Sequence, residues 1–116
     1  MALNSPARWF ARYANKKVRQ LVALHSGTSA NGVDAAVIRV SGSGESARAE
    51  LVHHLTYDYP ESIQAKLFEV FDPKTATISK ISQAHFLLGE LFSEAAKAVV
   101  AAAGLSMAEI DAVASS

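Results

Sequence analysis

The spacing of apolar residues predicts three strands in the first half of the chain. Residues 20–25 and 33–40 are short apolar runs, and the second is rich in β-branched side chains, which is typical of buried strands. Apolar and polar positions alternate over residues 49–59. Asn31-Gly32 favours a hairpin turn because both residues tolerate positive φ, and residues 41–46 are rich in Ser and Gly. The chain therefore opens with a predicted antiparallel three-stranded meander.

The third predicted strand carries two adjacent histidines. Alternation assigns one face of this strand to Leu51, His53, Leu55 and Tyr57. His54 then points to the opposite face, so His53 and His54 cannot both bind one metal ion. We expect one of them to be packed and the other exposed.

Apolar positions spaced by three and four residues predict two helices after the meander. The first begins at Pro60, a residue that suits the first helical turn, and ends at Asp72-Pro73. The second runs from about Ser79 to Ala103. The apolar stripe of the first helix is Ile63, Leu67, Val70 and Phe71, and that of the second is Ile81, Ala84, Leu88, Leu91, Ala95, Val99 and Ala102.

The end of the sequence predicts a short helix and a fourth strand. Gly104 is a typical helix terminator, and Ser106 with Glu109 forms the pattern of a capping box. Residues 110–116, IDAVASS, then have the composition of a strand. The predicted fold class is therefore mixed α/β, with three antiparallel strands, two helices and a further strand.

The first 19 residues differ in composition from the rest. They contain five Lys or Arg residues, and the first acidic residue of the chain is Asp34. We expect a poorly ordered basic tail over residues 1–19 and a folded domain over residues 20–116; an organelle transit peptide is the alternative interpretation. Trp9, Phe10 and Tyr13 would pack either on the domain or on a partner.

Overall composition excludes several classes of function. The formal net charge is zero, which gives no support for nucleic-acid binding. Because the chain has no cysteine, it has no disulfide and no thiolate metal site, and this composition fits a cytoplasmic location. No apolar run approaches the ~20 residues that a membrane span needs.

Small polar residues between the first two predicted strands are candidates for phosphate binding. The segment Ser26-Gly-Thr-Ser-Ala-Asn-Gly32 can direct several main-chain N–H groups at one anion, with further donors from the hydroxyls of Thr28 and Ser29. Asp34 follows and could orient Mg²⁺ through water. Turns favour these residue types in any case, so an ordinary hairpin turn remains the alternative.

The order of these residues resembles a family signature. S-G-T-S-x-N-G-V-D-A-A is similar to the S-G-T-S-x-D-G-x-D motif of the anhydro-N-acetylmuramic acid kinases, and two further segments, YDYPESIQAKLFEVF and residues 85–115, are similar to family motifs. The resemblance covers about Leu21 to Ser115. It implies a ribonuclease H-like half-lobe of an actin- and hexokinase-type sugar kinase.

The resemblance also implies an activity, cofactors and a site. Such enzymes use ATP and Mg²⁺ to open the 1,6-anhydro bridge of 1,6-anhydro-N-acetylmuramic acid with water and to phosphorylate O6. The ATP-binding loop carries over to Gly27, Thr28, Ser29, Ala30, Asn31, Gly32, Val33 and Asp34. Asn31 stands where the family usually has aspartate, and His25 stands where methionine is common.

The resemblance further implies that this chain is an incomplete N-terminal lobe. The family's H-G-Q-T segment would follow the fourth strand, but Ser116 occupies the position of its histidine. The catalytic general base is expected beyond Ser116, so this chain alone is expected to be inactive and to need a C-terminal lobe or a partner chain. A truncated, non-catalytic binding module and a kinase for another anhydro sugar, such as levoglucosan, are the alternatives.

Two residues of the second helix have competing interpretations. His85 lies four residues after Ile81, and we expect a partly buried structural histidine rather than a proton-transfer group. Glu90 is either a solvated surface carboxylate or a hydrogen-bond partner of the phosphate loop. No spacing in the sequence suggests a Ser/His/Asp nucleophile.

Overall fold

A computed structural model of the chain describes residues 5–27 and 29–116. These residues form one mixed α/β unit, which confirms the predicted fold class. The strands are β1 (Val18–His25), β2 (Gly32–Ser41), β3 (Arg48–Asp58) and β4 (Ala112–Ser115). The α-helices are α1 (Pro6–Asn15), α2 (Glu61–Phe71) and α3 (Ile78–Ala102), and two 3-10 helices span Gly44–Ser46 and Met107–Glu109.

The four strands form one sheet in the order β3-β2-β1-β4. β1 pairs with β2, and β2 with β3, in antiparallel register, so the predicted meander is confirmed. β4 lies parallel to β1 on the other side. A parallel neighbour needs a crossover connection, and α2 and α3 provide it.

The hydrophobic core lies between one face of the sheet and α3. Alternate residues of β1 and β2 point to this core, including Val22, Val33 and Val37, whose side chains are inaccessible to solvent. α3 contributes Val99 and Val100 from its second half. Side chains on the opposite face, such as Ala36, remain partly exposed.

A bulge in β3 corrects the predicted face of this strand. Val37 pairs with His53, but the next residue of β2, Ile38, pairs with Leu51, so Val52 is an extra residue. Leu51 therefore points away from the face that carries His53, and its side chain is 63% exposed. The prediction that Leu51 shares a face with His53, Leu55 and Tyr57 is wrong for Leu51, because a bulge reverses the alternation.

The two predicted helices are confirmed, but their apolar stripes are only partly buried. Thr77 begins α3 by accepting a hydrogen bond from the amide of Lys80 at 3.1 Å. Phe71 of α2 and Ile81 of α3 are 55% and 50% exposed, and Ala102 is also exposed. The predicted burial is wrong at these three positions: Ile81 lies in the first half of α3, whose buried residues lie mainly in the second half, and Phe71 and Ala102 are the last residues of their helices.

The N-terminal segment contains a helix, so the prediction of a poorly ordered tail is wrong for residues 6–15. Ser5 caps α1 by accepting a hydrogen bond from the amide of Arg8 at 3.3 Å, and Pro6 occupies its first turn. The rings of Trp9 and Tyr13 stack with centroids 5.2 Å apart. No helix in the described part of the chain is long and apolar enough to cross a membrane.

Asp111 ties the N-terminal segment to the start of β4. Its carboxylate forms an ion pair with Lys16 and accepts a hydrogen bond from the amide of Gln20 at 2.9 Å. Partial burial opposes ionisation of Asp111. The hydrogen bonds from Lys16 and Gln20, together with the charges of Lys16 and Arg19, outweigh that effect and lower the pKa of Asp111.

This lowered pKa predicts a loss of stability in acid that depends on Asp111. A carboxyl group with a lowered pKa stabilises the fold above its unfolded pKa of about 3.9, and this contribution is lost as the pH falls through the folded pKa. At about pH 7, Asp111→Asn should lower the free energy of unfolding by roughly 1–2 kcal/mol. Urea unfolding should show that this deficit narrows at about pH 3.

Glu94→Gln is the matched control, because Glu94 is exposed on α3 and forms no ion pair with another described residue. It should change the stability little at either pH. If Asp111→Asn lowered the free energy of unfolding by the same amount at both pH values, the assigned role of the carboxylate would be contradicted.

Gly89 generates a second prediction, because a Cβ added there would meet no atom within 4 Å. Gly89 lies inside α3, where glycine costs about 1 kcal/mol relative to alanine. Gly89→Ala should therefore raise the free energy of unfolding by roughly 0.5–1 kcal/mol. Gly104→Ala is the control with the opposite sign, because Gly104 has φ +75° and alanine is strained there. If both variants change stability in the same direction, the helical geometry at Gly89 is wrong.

Candidate functional site

The loop between β1 and β2, residues 26–31, is fixed at both ends by Tyr59. The amide of Tyr59 donates to the carbonyl of Asn31 at 2.9 Å, and its hydroxyl donates to Ser26 Oγ at 3.2 Å. Ser26 Oγ in turn donates to the carbonyl of Gly32 at 3.1 Å. Tyr59 is 6% exposed, so this chain of hydrogen bonds lies largely out of water and holds the two ends of the loop together.

The backbone of the loop turns at Ala30 rather than at Asn31-Gly32. Ala30 has φ +49° and is 2% exposed, and its amide donates to the carbonyl of Gly27 at 3.1 Å. Neither Asn31 nor Gly32 has a positive φ, so the predicted turn type is wrong. Gly32 is needed for a different reason: a Cβ there would lie 2.7 Å from the carbonyl oxygen of Tyr57.

The outer part of the loop is open to solvent. Gly27, Ser29 and Asn31 are exposed, and Ser29 Oγ donates to Asn31 Oδ1 at 3.1 Å. Thr28, a predicted site residue, lies outside the described residues. Because residues 26–34 include no Lys or Arg, an anion at this loop would depend on backbone N–H groups and hydroxyls, as in an anion-binding nest.

Asp34 follows the loop but points to the sheet face opposite the helical core. Its Oδ1 accepts a hydrogen bond from Thr56 Oγ1 at 2.7 Å and lies 4.0 Å from His54 Nε2. The described residues contain no group of three His, Cys, Asp or Glu side chains suited to one metal ion. Asp34 is half-exposed, and a single accessible carboxylate fits Mg²⁺ that keeps its waters and takes other ligands from a phosphate. Val33, the preceding predicted site residue, is fully buried and serves the core.

Ser116 supports the loop from the side of β4. Its amide donates to the carbonyl of Leu24 at 3.0 Å, and its carbonyl accepts from the amide of Ser26 at 3.4 Å. Ser116 Oγ also lies 2.7 Å from His25 Nδ1. Two of the three residues that depart from the motifs of the resembled family, His25 and Ser116, therefore contact each other.

A cavity of about 470 Å³ adjoins the loop on the helical side of the sheet. One side is formed by Ser26, Gly27 and Ala30 of the loop region. The other walls come from α2, α3 and the end of β4: Leu67, Phe71, His85, Leu88, Gly89, Phe92, Ser115 and Ser116. The cavity thus combines an apolar wall with a polar edge at the loop, the composition expected of a small-molecule site.

The structure confirms some of the predictions for the remaining histidines and Glu90 and contradicts others. His53 is half-buried and His54 is exposed, as predicted. His85 is exposed and packs edge-on against Phe86 with ring centroids 5.6 Å apart, so the prediction of a partly buried histidine is wrong. Glu90 is exposed and forms no hydrogen bond with the described residues of the loop, which favours the surface interpretation.

Sequence reasoning missed the residues that fix the loop from other elements. Tyr59, just after β3, lies 33 positions along the chain from Ser26, and Thr56 of β3 lies 22 positions from Asp34. The strand register could have identified Thr56, because an antiparallel meander places it beside Asp34. No local signal separates Tyr59 from an ordinary core tyrosine.

The close approach at Gly32 predicts different effects for the two glycines of the loop region. Gly32→Ala should destabilise the protein by about 1–3 kcal/mol, because its Cβ would press on backbone atoms of Tyr57. Gly27→Ala should change the stability little, because its Cβ would meet only His25 Nε2, at 3.9 Å. Thermal unfolding of both variants tests this, and equal destabilisation would contradict the loop geometry.

Comparisons with known proteins agree with this arrangement. The family model for anhydro-N-acetylmuramic acid kinase matches residues 19–116. A protein of that name from Caldanaerobacter subterraneus subsp. tengcongensis is 46% identical over 104 residues, which cover 90% of this chain and 26% of the relative. Relatives of the same name from Bacillus thuringiensis subsp. konkukian and Bacillus cereus are 30% and 32% identical, over 82% and 78% of this chain and 25% and 24% of their own lengths.

The chain thus spans about a quarter of the length of these curated relatives. The match includes the loop, β3 with Tyr59, both long helices and β4, and only the segment before Arg19 lies outside it. The chain therefore belongs to the anhydro-N-acetylmuramic acid kinase family.

Proposed function

We propose that this chain supplies the N-terminal, phosphate-binding part of an ATP-dependent kinase that acts on 1,6-anhydro-N-acetylmuramic acid. The observation that supports this proposal most directly is the loop of residues 26–31, fixed by Tyr59 and free of side-chain bulk at Gly27. A backbone without a Cβ allows phosphate oxygens to approach closely. The names of the relatives supply the sugar, and a cytoplasmic location belongs to the same proposal.

In this role the loop would bind the phosphates of ATP, and Asp34 would hold Mg²⁺ through water. Backbone donors and Mg²⁺ offset the negative charge that develops on a transferring phosphoryl group. Asn31 keeps an amide oxygen at the position where the family usually has a carboxylate, so a metal at this site would be held with one negative charge fewer. Water would open the 1,6-anhydro bridge, and the γ-phosphate would pass to O6 of the sugar.

We infer that none of the described carboxylates is the general base that activates that water. Asp34 already accepts a hydrogen bond from Thr56, and Glu90 is directed to solvent on α3. We propose that the base and the second lobe come from the part of the family protein that this chain does not span. The chain alone would then bind phosphate without completing the reaction.

Exposed apolar side chains favour a covering lobe or partner chain. Phe68 and Phe71 of α2 are 49% and 55% exposed, and Ile78 and Phe86 of α3 are 89% and 71% exposed. Exposed apolar surface is typical of protein contacts. In this proposal a non-catalytic binding module, the alternative function, would use the same surface to hold its partner.

Gly27→Val tests the phosphate-binding proposal. A branched side chain at Gly27 would occupy the space in front of the loop without a clash inside the protein, so the variant should fold but lose its affinity for ATP and Mg²⁺. Isothermal titration calorimetry should show at least about a tenfold weaker binding, equal to about 1.4 kcal/mol.

Ser43→Val is the matched control, because Ser43 is exposed in the β2–β3 turn and has an extended backbone that suits valine. Its affinity for ATP should equal that of the unchanged protein. Equal ATP affinity in Gly27→Val would remove the loop from the proposed nucleotide site.

A further inference from the structure

The helix α1 lies outside the part of the chain that the kinase family accounts for. The family model begins at residue 19, and α1 spans Pro6–Asn15. None of its residues is buried, and the side chains of Trp9 and Phe10 are 38% and 64% exposed. Burial in the domain therefore does not explain these two large aromatic residues, and α1 needs an explanation of its own.

The aromatic and basic residues of α1 lie on different sides of the helix. The Trp9 ring contacts those of Phe10 and Tyr13, with centroids 4.9 and 5.2 Å away, so the three rings form one cluster. Arg8 and Arg12 each lie two positions from Phe10, a rotation of about 200° around the helix axis. Phe10 and these two arginines therefore point to nearly opposite sides of α1.

Contacts at its C-terminal end hold α1 on the domain. The Arg19 guanidinium donates to the carbonyls of Tyr13 and Ala14 at 2.8 and 3.1 Å, and a cation at this end of a helix stabilises its dipole. Lys16, directly after α1, pairs with Asp111. The helix is therefore already ordered before it meets a partner, which reduces the cost of ordering on binding.

One edge of the aromatic cluster faces the domain, and the other edge is open. Trp9 and Tyr13 border a depression of about 200 Å³ whose far side includes Ala108 and Ile110. Phe10 does not border this depression and is the more exposed of the two residues Trp9 and Phe10. The outward apolar surface of α1 therefore consists of Phe10 and the exposed part of Trp9.

The segment that contains α1 concentrates positive charge. Five of the eleven Lys and Arg residues lie before residue 20, which leaves six against eleven Asp and Glu in the rest of the chain. The side chains of Arg8 and Lys17 are exposed and form no ion pair with another described residue. A negatively charged surface would therefore be attracted to this segment and repelled by the rest of the chain.

We propose that α1 binds the surface of an anionic phospholipid bilayer without crossing it. A helix with exposed Trp and Phe on one side and Arg on the other is typical of helices that lie in the plane of the membrane interface. Trp9 and Phe10 would enter the boundary between headgroups and acyl chains, and the long side chains of Arg8 and Lys17 would reach the lipid phosphates. A lipid surface uses both sides of α1, whereas a nucleic-acid backbone would contact only the basic side.

The proposed contact is small and does not involve the loop of residues 26–31. Because only two aromatic side chains would enter the bilayer, binding is weak and reversible, and exposed charges make it sensitive to salt. The inference goes beyond the proposed function, since it concerns a segment outside the family match. Its consequence is that the proposed kinase would be held close to an anionic membrane surface.

The experiment titrates the 116-residue protein with vesicles of equal parts phosphatidylglycerol and phosphatidylcholine and follows the fluorescence of Trp9, the single tryptophan of the chain. We expect the emission to move to shorter wavelength as the ring leaves water, and the protein to sediment with the vesicles. Vesicles of phosphatidylcholine alone should produce neither effect. Raising the NaCl concentration from about 0.01 M to about 0.5 M should weaken binding at least about fivefold, because salt screens exposed charges.

Phe10→Ala and Arg8→Glu test the apolar and the basic side of α1 separately. Alanine removes the ring but favours the helix, and glutamate reverses a charge in the first turn, where an acidic residue suits the helix dipole. Both variants should therefore keep α1 folded, which circular dichroism can verify. Each should bind the anionic vesicles about tenfold more weakly than the unchanged protein.

Phe86→Ala and Lys97→Glu are the matched controls, because both residues are exposed on α3. They should leave the affinity for anionic vesicles unchanged. Gly27→Val, the variant that tests the ATP loop, should also bind these vesicles like the unchanged protein. The membrane proposal and the proposed function can therefore fail separately.

Three results would overturn the membrane proposal. The first is equal affinity for both kinds of vesicle, which would exclude recognition of anionic lipid. The second is sedimentation without a change in Trp9 fluorescence, or an equal loss of binding in Phe86→Ala, which would assign the contact to another surface. The third is binding of a single-stranded oligonucleotide without binding of vesicles, which would make the segment a nucleic-acid contact.

Discussion

The position of β1 inside the sheet is the constraint on which the rest of the structure depends. It pairs with β2 on one side and with β4 on the other, so its register fixes both neighbours. The antiparallel pairing of β1 with β2 determines which residues of β2 face the helices. For example, it places Val37 opposite Val22. The parallel side brings Ser116 against the start of the loop. Because the loop leaves directly from β1, its support at Ser116 depends on the parallel ladder, whereas its support at Tyr59 comes from the end of β3.

The loop is held in place without formal charges. Tyr59 and Ser116 fix its ends from two different elements, and neither contributes a formal positive charge. An anion here would meet backbone dipoles already held in place, which reduces the reorganisation needed on binding. Two of the five Lys and Arg residues before Asp34 make contacts elsewhere: Lys16 pairs with Asp111, and the Arg19 guanidinium lies 4.7 Å from the ring centroid of Tyr13.

The sequence alone predicts the order and type of the elements after residue 19, because the periodicity of buried positions is strong in each of them. It does not predict the bulge at Val52, which depends on how β3 fits β2, nor α1, whose exposed positions carry no burial signal. The loop could be located from its residues, but its turn at Ala30 could not. Phe71 and His85 were both expected to be packed, and both line the cavity beside the loop.

The parallel pairing of β1 with β4 has a consequence for the order of folding. β1, β2 and β3 are joined by short turns, so their pairing closes small loops and carries a low entropic cost. The contact between Gln20 and Asp111 spans 91 residues, and contacts of this separation form slowly. A nascent chain would therefore hold a complete hairpin with its loop before β4 arrives, and the loop would acquire its second support, at Ser116, only after β4 has paired with β1.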